Sequence, residues 1–342
     1  MRALVGVLQL RSCVDTAGSR RGNYSATAKN KVKNLFTSDI NLCRSDCSAF
    51  AIKELEVGPT EEVADYVAGL RYKDIPPQVT ALARGFILDG LGVALAGSTD
   101  ECSRMVQAHI KGMGGRRESS VLGAGMSAPS PQAALANGVA GHAMDYDDTQ
   151  LSTSREAVYG LLTHPTTPVL AAVLAIGERE KISGKEFLLA YIAGVEVECR
   201  IADAINPRHY QSGFHSTATI GGLGAAMAAG KILRLKPKAL MRALGIAASM
   251  ASGLRENFGT MTKPLHAGRA AENGLTAALL AQSGLPPRPI SLKRAAASST
   301  RWPVDTMRRK SRDGWALLIS CRSREYRSSL IHRALYPIPP RI

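Results

Sequence analysis

Long Ala/Leu-rich runs with helical spacing fill the middle of the chain and are broken at a few short polar stretches. Val57-Gly58-Pro59-Thr60 opens the first run. Thr60 is placed to cap a helix whose first turn carries Glu61 and Glu62, near its positive end. Val63, Tyr66, Val67 and Leu70 share one face of that helix, and Ile75-Pro76-Pro77 ends it. A second helix brings Val79, Leu82, Phe86, Leu91 and Ala94 to a common buried face, with Gly97 near its end. Residues 98–128 read as turn-rich and polar. From Pro131 another helix runs to Gly141, and Pro165–Glu180 is helical again. A capping box at Ser183–Glu186 starts a helix that reaches about Asn206. Further helices are expected over Ala218–Leu235, Lys238–Leu254 and Gly268–Ser283. No stretch of this body alternates with period two, so no strand is predicted. The pattern gives an all-α body over 59–284. Residues 1–58 read as a poorly ordered leader. After Pro287, Arg, Ser and Pro replace apolar periodicity, which sets 285–342 apart.

The breaks between helices carry the chemistry. Gly141-His142-Ala143-Met144-Asp145-Tyr146-Asp147-Asp148-Thr149 holds three carboxylates, a histidine and a threonine within nine residues. Thr163-His164-Pro165, Gly213-Phe214-His215-Ser216-Thr217 and Thr262-Lys263-Pro264-Leu265-His266 carry the same mix. Polar side chains on loops of a rigid scaffold are where binding and catalysis concentrate.

Composition refines this picture. At 342 residues with 45% hydrophobic and 5% aromatic residues, Ala and Gly fill the interior, which predicts helices at close approach. The net charge of +15 suggests a polyanion partner, but it sits at the ends: residues 59–284 hold 21 basic and 20 acidic residues. A nucleic-acid groove needs basic residues clustered on the folded body. Six scattered cysteines form neither a zinc pattern nor a disulfide framework, which points to a reducing, cytoplasmic compartment. The first 35 residues, basic with only Asp15 acidic, have a faint transit-peptide character, so a mitochondrial matrix location is the alternative. The most apolar stretch, Thr217–Leu235, contains Lys231 and Arg234 and reads as a buried helix rather than a membrane span.

The strings GHAMDYDDT, THPTTPVLAA, GFHSTATIGGLGAA and TKPLHAGRAAENG, in this order, resemble the MmgE/PrpD family, which includes 2-methylcitrate dehydratases and cis-aconitate decarboxylases. The resemblance covers roughly 60–284. It implies a helical domain followed by a smaller α+β domain, of which 285–342 would be a truncated or aberrant remnant. Only Ser328-Ser329-Leu330-Ile331-His332 looks like a family segment there, and a reading-frame error or a truncated gene would produce such a tail. The resemblance further implies a homodimer, a small polycarboxylate substrate and no cofactor. It marks His164, His215, Lys263, Asp145 and Thr149 as site residues, with His332 from the second domain.

The residues themselves fit such chemistry. Removing a proton beside a carboxylate, or losing carbon dioxide, builds negative charge on an already anionic molecule. Histidine titrates in the range needed for acid and base roles, and lysine holds carboxylates. Each residue also has a plainer reading. His164 is then a helix-start residue behind Pro165, His215 a helix cap, and Lys263 a solvated lysine held extended before Pro264. Asp145 and Thr149 become a turn and a cap, and Asp147 and Asp148 build that turn. His142 and His266 are second-tier candidates whose plainer reading is structural. A magnesium site at residues 145, 147 and 148 is the rival chemistry, but the spacing is poor and no second acidic motif appears. A catalytically inactive interaction protein is the remaining alternative.

Overall fold

A computed structural model describes residues 58–150 and 162–286. The helices, in chain order, are α1 Pro59–Gly69, α2 Pro77–Gly97, α3 Glu101–Met113, α4 Ser130–His142, α5 Thr166–Glu180, α6 Gly184–Ile205, the single turn α7 Arg208–Gln211, α8 Ser216–Ile232, α9 Pro237–Met250 and α10 Thr262–Gln282. This is the all-α body that the periodicity predicts. One exception lies in the stretch read as turn-rich. Residues 98–128 hold α3 and a small antiparallel hairpin, β1 Ser119–Val121 and β2 Met126–Ala128. Strands of three residues are too short to show alternation. α3 buries only Cys102, Ser103 and Ile110, a stripe too sparse to stand out among its polar residues.

Helix ends follow local chemistry. Ser183 and Glu186 form the expected capping box on α6. The first helix starts one residue early, with Gly58 at its cap and Pro59 in its first turn, so Thr60 is buried inside it rather than capping it. It closes at Gly69, well before the prolines, and a 3-10 turn follows at Tyr72–Asp74. α10 starts six residues earlier than the apolar pattern suggests. Pro264 lies within its first turn, where the missing N–H costs no hydrogen bond.

At the centre, α8 packs against α10 and α6, and α10 against α4. Every residue of α8 except Lys231 is buried. Small residues make this possible. A methyl at Gly138 of α4 would stand 2.7 Å from the Gly268 Cα of α10, so the two backbones touch there. The same closeness joins α6 to α8, where a Cβ on Gly194 would lie 2.8 Å from the Gly224 carbonyl oxygen. The apolar stretch 217–235 is thus a core helix. Among the described residues, α2 is the one helix long and apolar enough to cross a membrane by length and composition. It carries Arg84 and Asp89 and buries Val79, Ala83, Phe86 and Val93 against the bundle.

Cys102 and Cys199 are free and buried. Of the terminal segments 1–58 and 285–342, residues 58, 285 and 286 alone fall within the described residues.

Candidate active site

Four helix ends meet at one place. α4 ends at His142 and runs into the loop 143–150, while α5, α8 and α10 begin there with His164, His215 and Lys263 at or beside their first turns. Three helix N-termini bring partial positive charge to one end of the bundle, which suits an anion.

Asp147 sits at the centre of this end, buried. Both of its oxygens lie 2.9 Å from His142 Nδ1. Thr167 Oγ1 donates to it at 2.7 Å, and His164 Nδ1 lies 3.4 Å from its Oδ1. Burial alone would raise the Asp147 pKa, but the two imidazoles beside it hold its carboxyl well below the usual range. The neighbouring Asp148 faces elsewhere. It accepts from the backbone N–H and the hydroxyl of Thr166, capping α5, and burial pushes its pKa up to about 6. The turn assigned to this pair is therefore corrected: one carboxylate is a buried anion among histidines, the other a helix cap.

Asp145 makes the turn itself, with a left-handed φ of 55°. Its side chain bonds to Lys263 Nζ at 2.5 Å and lies 3.9 Å from His164 Nε2. Burial would raise its pKa, but the Lys263 hydrogen bond and His164 lower it on balance. His164 is thus bracketed, with Asp147 at its Nδ1 edge and Asp145 at its Nε2 edge. Burial disfavours its charge, yet these carboxylates win and raise its pKa. Lys263 is in a helical first turn, not in the extended backbone expected before Pro264.

His215 has the opposite surroundings. Its Nδ1 meets His266 Nδ1 at 3.1 Å, and Phe258 packs edge-on at 4.9 Å between ring centroids. Among the described residues no carboxylate contacts it. Burial, with His142, His164, His266 and Lys263 nearby, drives its pKa down to about 2. Its own N–H donates to the Gly253 carbonyl, which ties the head of α8 to the loop after α9. His215 stands at the N-cap position of α8, as its plainer reading has it, but its side chain makes no capping hydrogen bond.

His142 stands between the two, 4.7 Å from the His164 ring and 5.7 Å from the His215 ring. The structure therefore gathers His164, His215, Lys263 and Asp145 at one end of the bundle. Thr149 lies exposed at the rim, with no hydrogen bond joining it to the cluster among the described residues. His332 lies outside the described residues.

Sequence reasoning ranked His142 and His266 second, read Asp147 as a turn residue, and passed over the buried Glu198. Glu198 accepts from Thr163 Oγ1 at 2.6 Å, and burial raises its pKa well above the ordinary value. A usable signal existed for His142 and Asp147: a histidine at a helix end, five residues before an aspartate, lets the chain fold back on itself.

Donor atoms of His142, Asp145, Asp147 and His164 all lie within 4.8 Å of one another. Asp148, central to the magnesium reading, is not among them. The donor set already carries its own cations: Lys263 neutralises Asp145, and Asp147 is engaged by His142 and Thr167.

An all-α domain with imidazoles, carboxylates and a lysine gathered where helix ends join is the class that fold and site define. Residues 61–292 match the MmgE/PrpD N-terminal domain, and the chain belongs to the MmgE/PrpD family. Curated relatives include the cis-aconitate decarboxylase of Homo sapiens, 36% identical over 232 residues, and that of Aspergillus terreus, 32% identical over 234 residues. Each alignment covers 66% of this chain and 46% of the relative, so the chain spans about half the length of the relatives it matches. Decarboxylases are lyases, which places the chain in a family of enzymes.

Proposed function

We propose that this protein is a lyase acting on a small di- or tricarboxylic acid by acid/base catalysis, with no metal or organic cofactor in the chemistry. The observation that carries the reading is the opposed environment of two imidazoles in one pocket. His164 lies between two carboxylates, while His215 lies among cations and a second imidazole. Neighbouring groups whose pKa values are pushed apart divide into acid and base. In this reading His215, neutral, accepts a proton and His164, as imidazolium, gives one. Lys263 binds and neutralises a substrate carboxylate, held in place by Asp145. Thr149 donates a hydrogen bond at the rim.

Two reactions use this equipment. In dehydration the proton beside a carboxylate goes to the base, its electron pair forms the double bond, and hydroxide leaves as water with the acid's proton. In decarboxylation the bond to one carboxylate breaks, carbon dioxide leaves, and the acid protonates the carbon that keeps the electron pair. The names of the relatives favour decarboxylation of cis-aconitate. The proposal includes a homodimer to which the helical domain contributes, a cytoplasmic location with the mitochondrial matrix as alternative, and no nucleic-acid or membrane partner. His332 is a further proposed catalytic residue.

The test is carbon dioxide release and dehydration by the full chain with cis-aconitate and 2-methylcitrate, beside His215→Ala. Turnover that His215→Ala abolishes supports the reading. Turnover unchanged in the variant removes the mechanism. A folded chain that neither binds nor converts these acids leaves the inactive interaction protein.

A further inference from the structure

We propose that Asp147 is the positioning residue of this pocket: one buried carboxylate takes the Nδ1 edges of both His142 and His164. Their Nε2 atoms are then the only ring nitrogens left to handle a proton. This rests on reading the pocket as an acid/base site. The argument is geometric. A carboxylate only accepts, so the hydrogen shared with each ring lies on Nδ1. His142 Nδ1 is equidistant from both Asp147 oxygens, at 2.9 Å. His164 Nδ1 is 3.4 Å from Asp147 Oδ1 and equally far from the Asp147 peptide oxygen. Thr167 Oγ1 holds the carboxylate from the third side. Asp147 and His142 are 4% and 1% exposed, so no water competes for these bonds.

The second observation concerns His142. Its Nε2 is buried and has no hydrogen-bond partner among the described residues. A side chain kept only for packing has no reason to leave a ring nitrogen unsatisfied in the interior. An atom oriented for proton exchange with the adjacent His164 and His215 rings does. The groups facing this pair are Asp89 from α2, Asp145 and Asp148 from the same loop, His215 from α8, and Lys263 and His266 from α10. Asp147, outside this set, touches both rings at Nδ1.

Histidine side-chain nitrogen and proton NMR on the full chain tests this without substrate. In the unmodified protein, neutral His142 is expected as the Nδ1–H tautomer. Finding its hydrogen on Nε2 overturns the proposal, whether or not any variant folds. In folded Asp147→Asn the His164 midpoint is expected to fall by about one pH unit or more. An unchanged midpoint overturns the proposal. Thr167→Val removes a hydrogen bond to the same carboxylate but leaves its charge, and is expected to leave the His164 midpoint near that of the unmodified chain. A fall equal to that in Asp147→Asn would assign the effect to packing and overturn the proposal. Binding of cis-aconitate is measured separately. If none binds, the lyase reading fails while the tautomer result stands.

Discussion

The two halves of the histidine cluster use the same side chain and reach opposite states. On the α5 side, His164 has Asp145 and Asp147 at its two ring edges and its pKa is raised. On the α8 side, His215 meets an imidazole and a phenyl ring, and burial drives its pKa to about 2. The His142 ring lies between them, within 6 Å of each. Neither burial nor the helix N-terminus separates them, because both residues have these. What separates them is the loop 143–150, which delivers two carboxylates to one side and none to the other. The polar interruption in an otherwise apolar run is therefore the source of the asymmetry.

Removing either histidine gives the largest expected effect. His215→Ala and His164→Ala are each expected to lower turnover of a converted substrate by about 100-fold or more, the range of general acid and base catalysis. Combining them should cost far less than the product of the two effects, because both act in one proton transfer sequence. Carbon dioxide release measures both.

Lys263→Met tests the electrostatic link between the halves. Half-saturation by a polycarboxylate is expected to rise about tenfold or more, since an anion loses its cationic partner. The His215 midpoint is expected to rise as well, because Lys263 is one of the charges that depress it. A binding titration and histidine NMR separate the two effects.

Stability against pH sharpens the contrast through its sign. The raised folded pKa of His164 makes its contribution fully present below pH ~6.5 and lost as pH rises through the folded value. The depressed pKa of His215 works the other way, with its contribution present above pH ~6.5 and lost progressively as pH falls toward 2. Relative to the unmodified chain, His215→Asn should therefore gain stability as pH falls from 7 to 5. Over the same range His164→Asn should lose it. Each difference is at most about 1.4 kcal/mol per pH unit. Urea melts at several pH values read both, and shifts of the same sign would contradict the division.

Smaller effects are expected at the rim. Thr149→Val, exposed and outside the cluster, should change half-saturation by only about threefold, worth well under 1 kcal/mol. Chelator treatment should leave turnover unchanged, since Lys263 already neutralises Asp145.

Much of the scaffold was legible because helix period and capping are local. Ser183 and Glu186 announced α6, and the Ala/Gly runs announced the close contacts at Gly138 and Gly268. The hairpin and α3 were not legible, since three-residue strands carry no period and α3 buries so few positions. Pro264 misled the reading of Lys263, because the same residue breaks a helix interior and fits a first turn. His164, His215, Lys263 and Asp145 were found from the chemistry of residue types at helix breaks. Asp147 was not, and His142 and His266 only as second choices, because their contacts come from partners that sequence spacing does not display. Asp147 gains its partners only when α4, α5 and the loop meet.

The most direct measurement is a pH titration of the His164 and His215 ring nitrogens by NMR in one sample of the full chain. The account predicts a His164 midpoint above the ordinary value near 6.5 and a His215 ring that stays neutral to the lowest pH at which the fold survives. A His215 midpoint at or above that of His164 would contradict it.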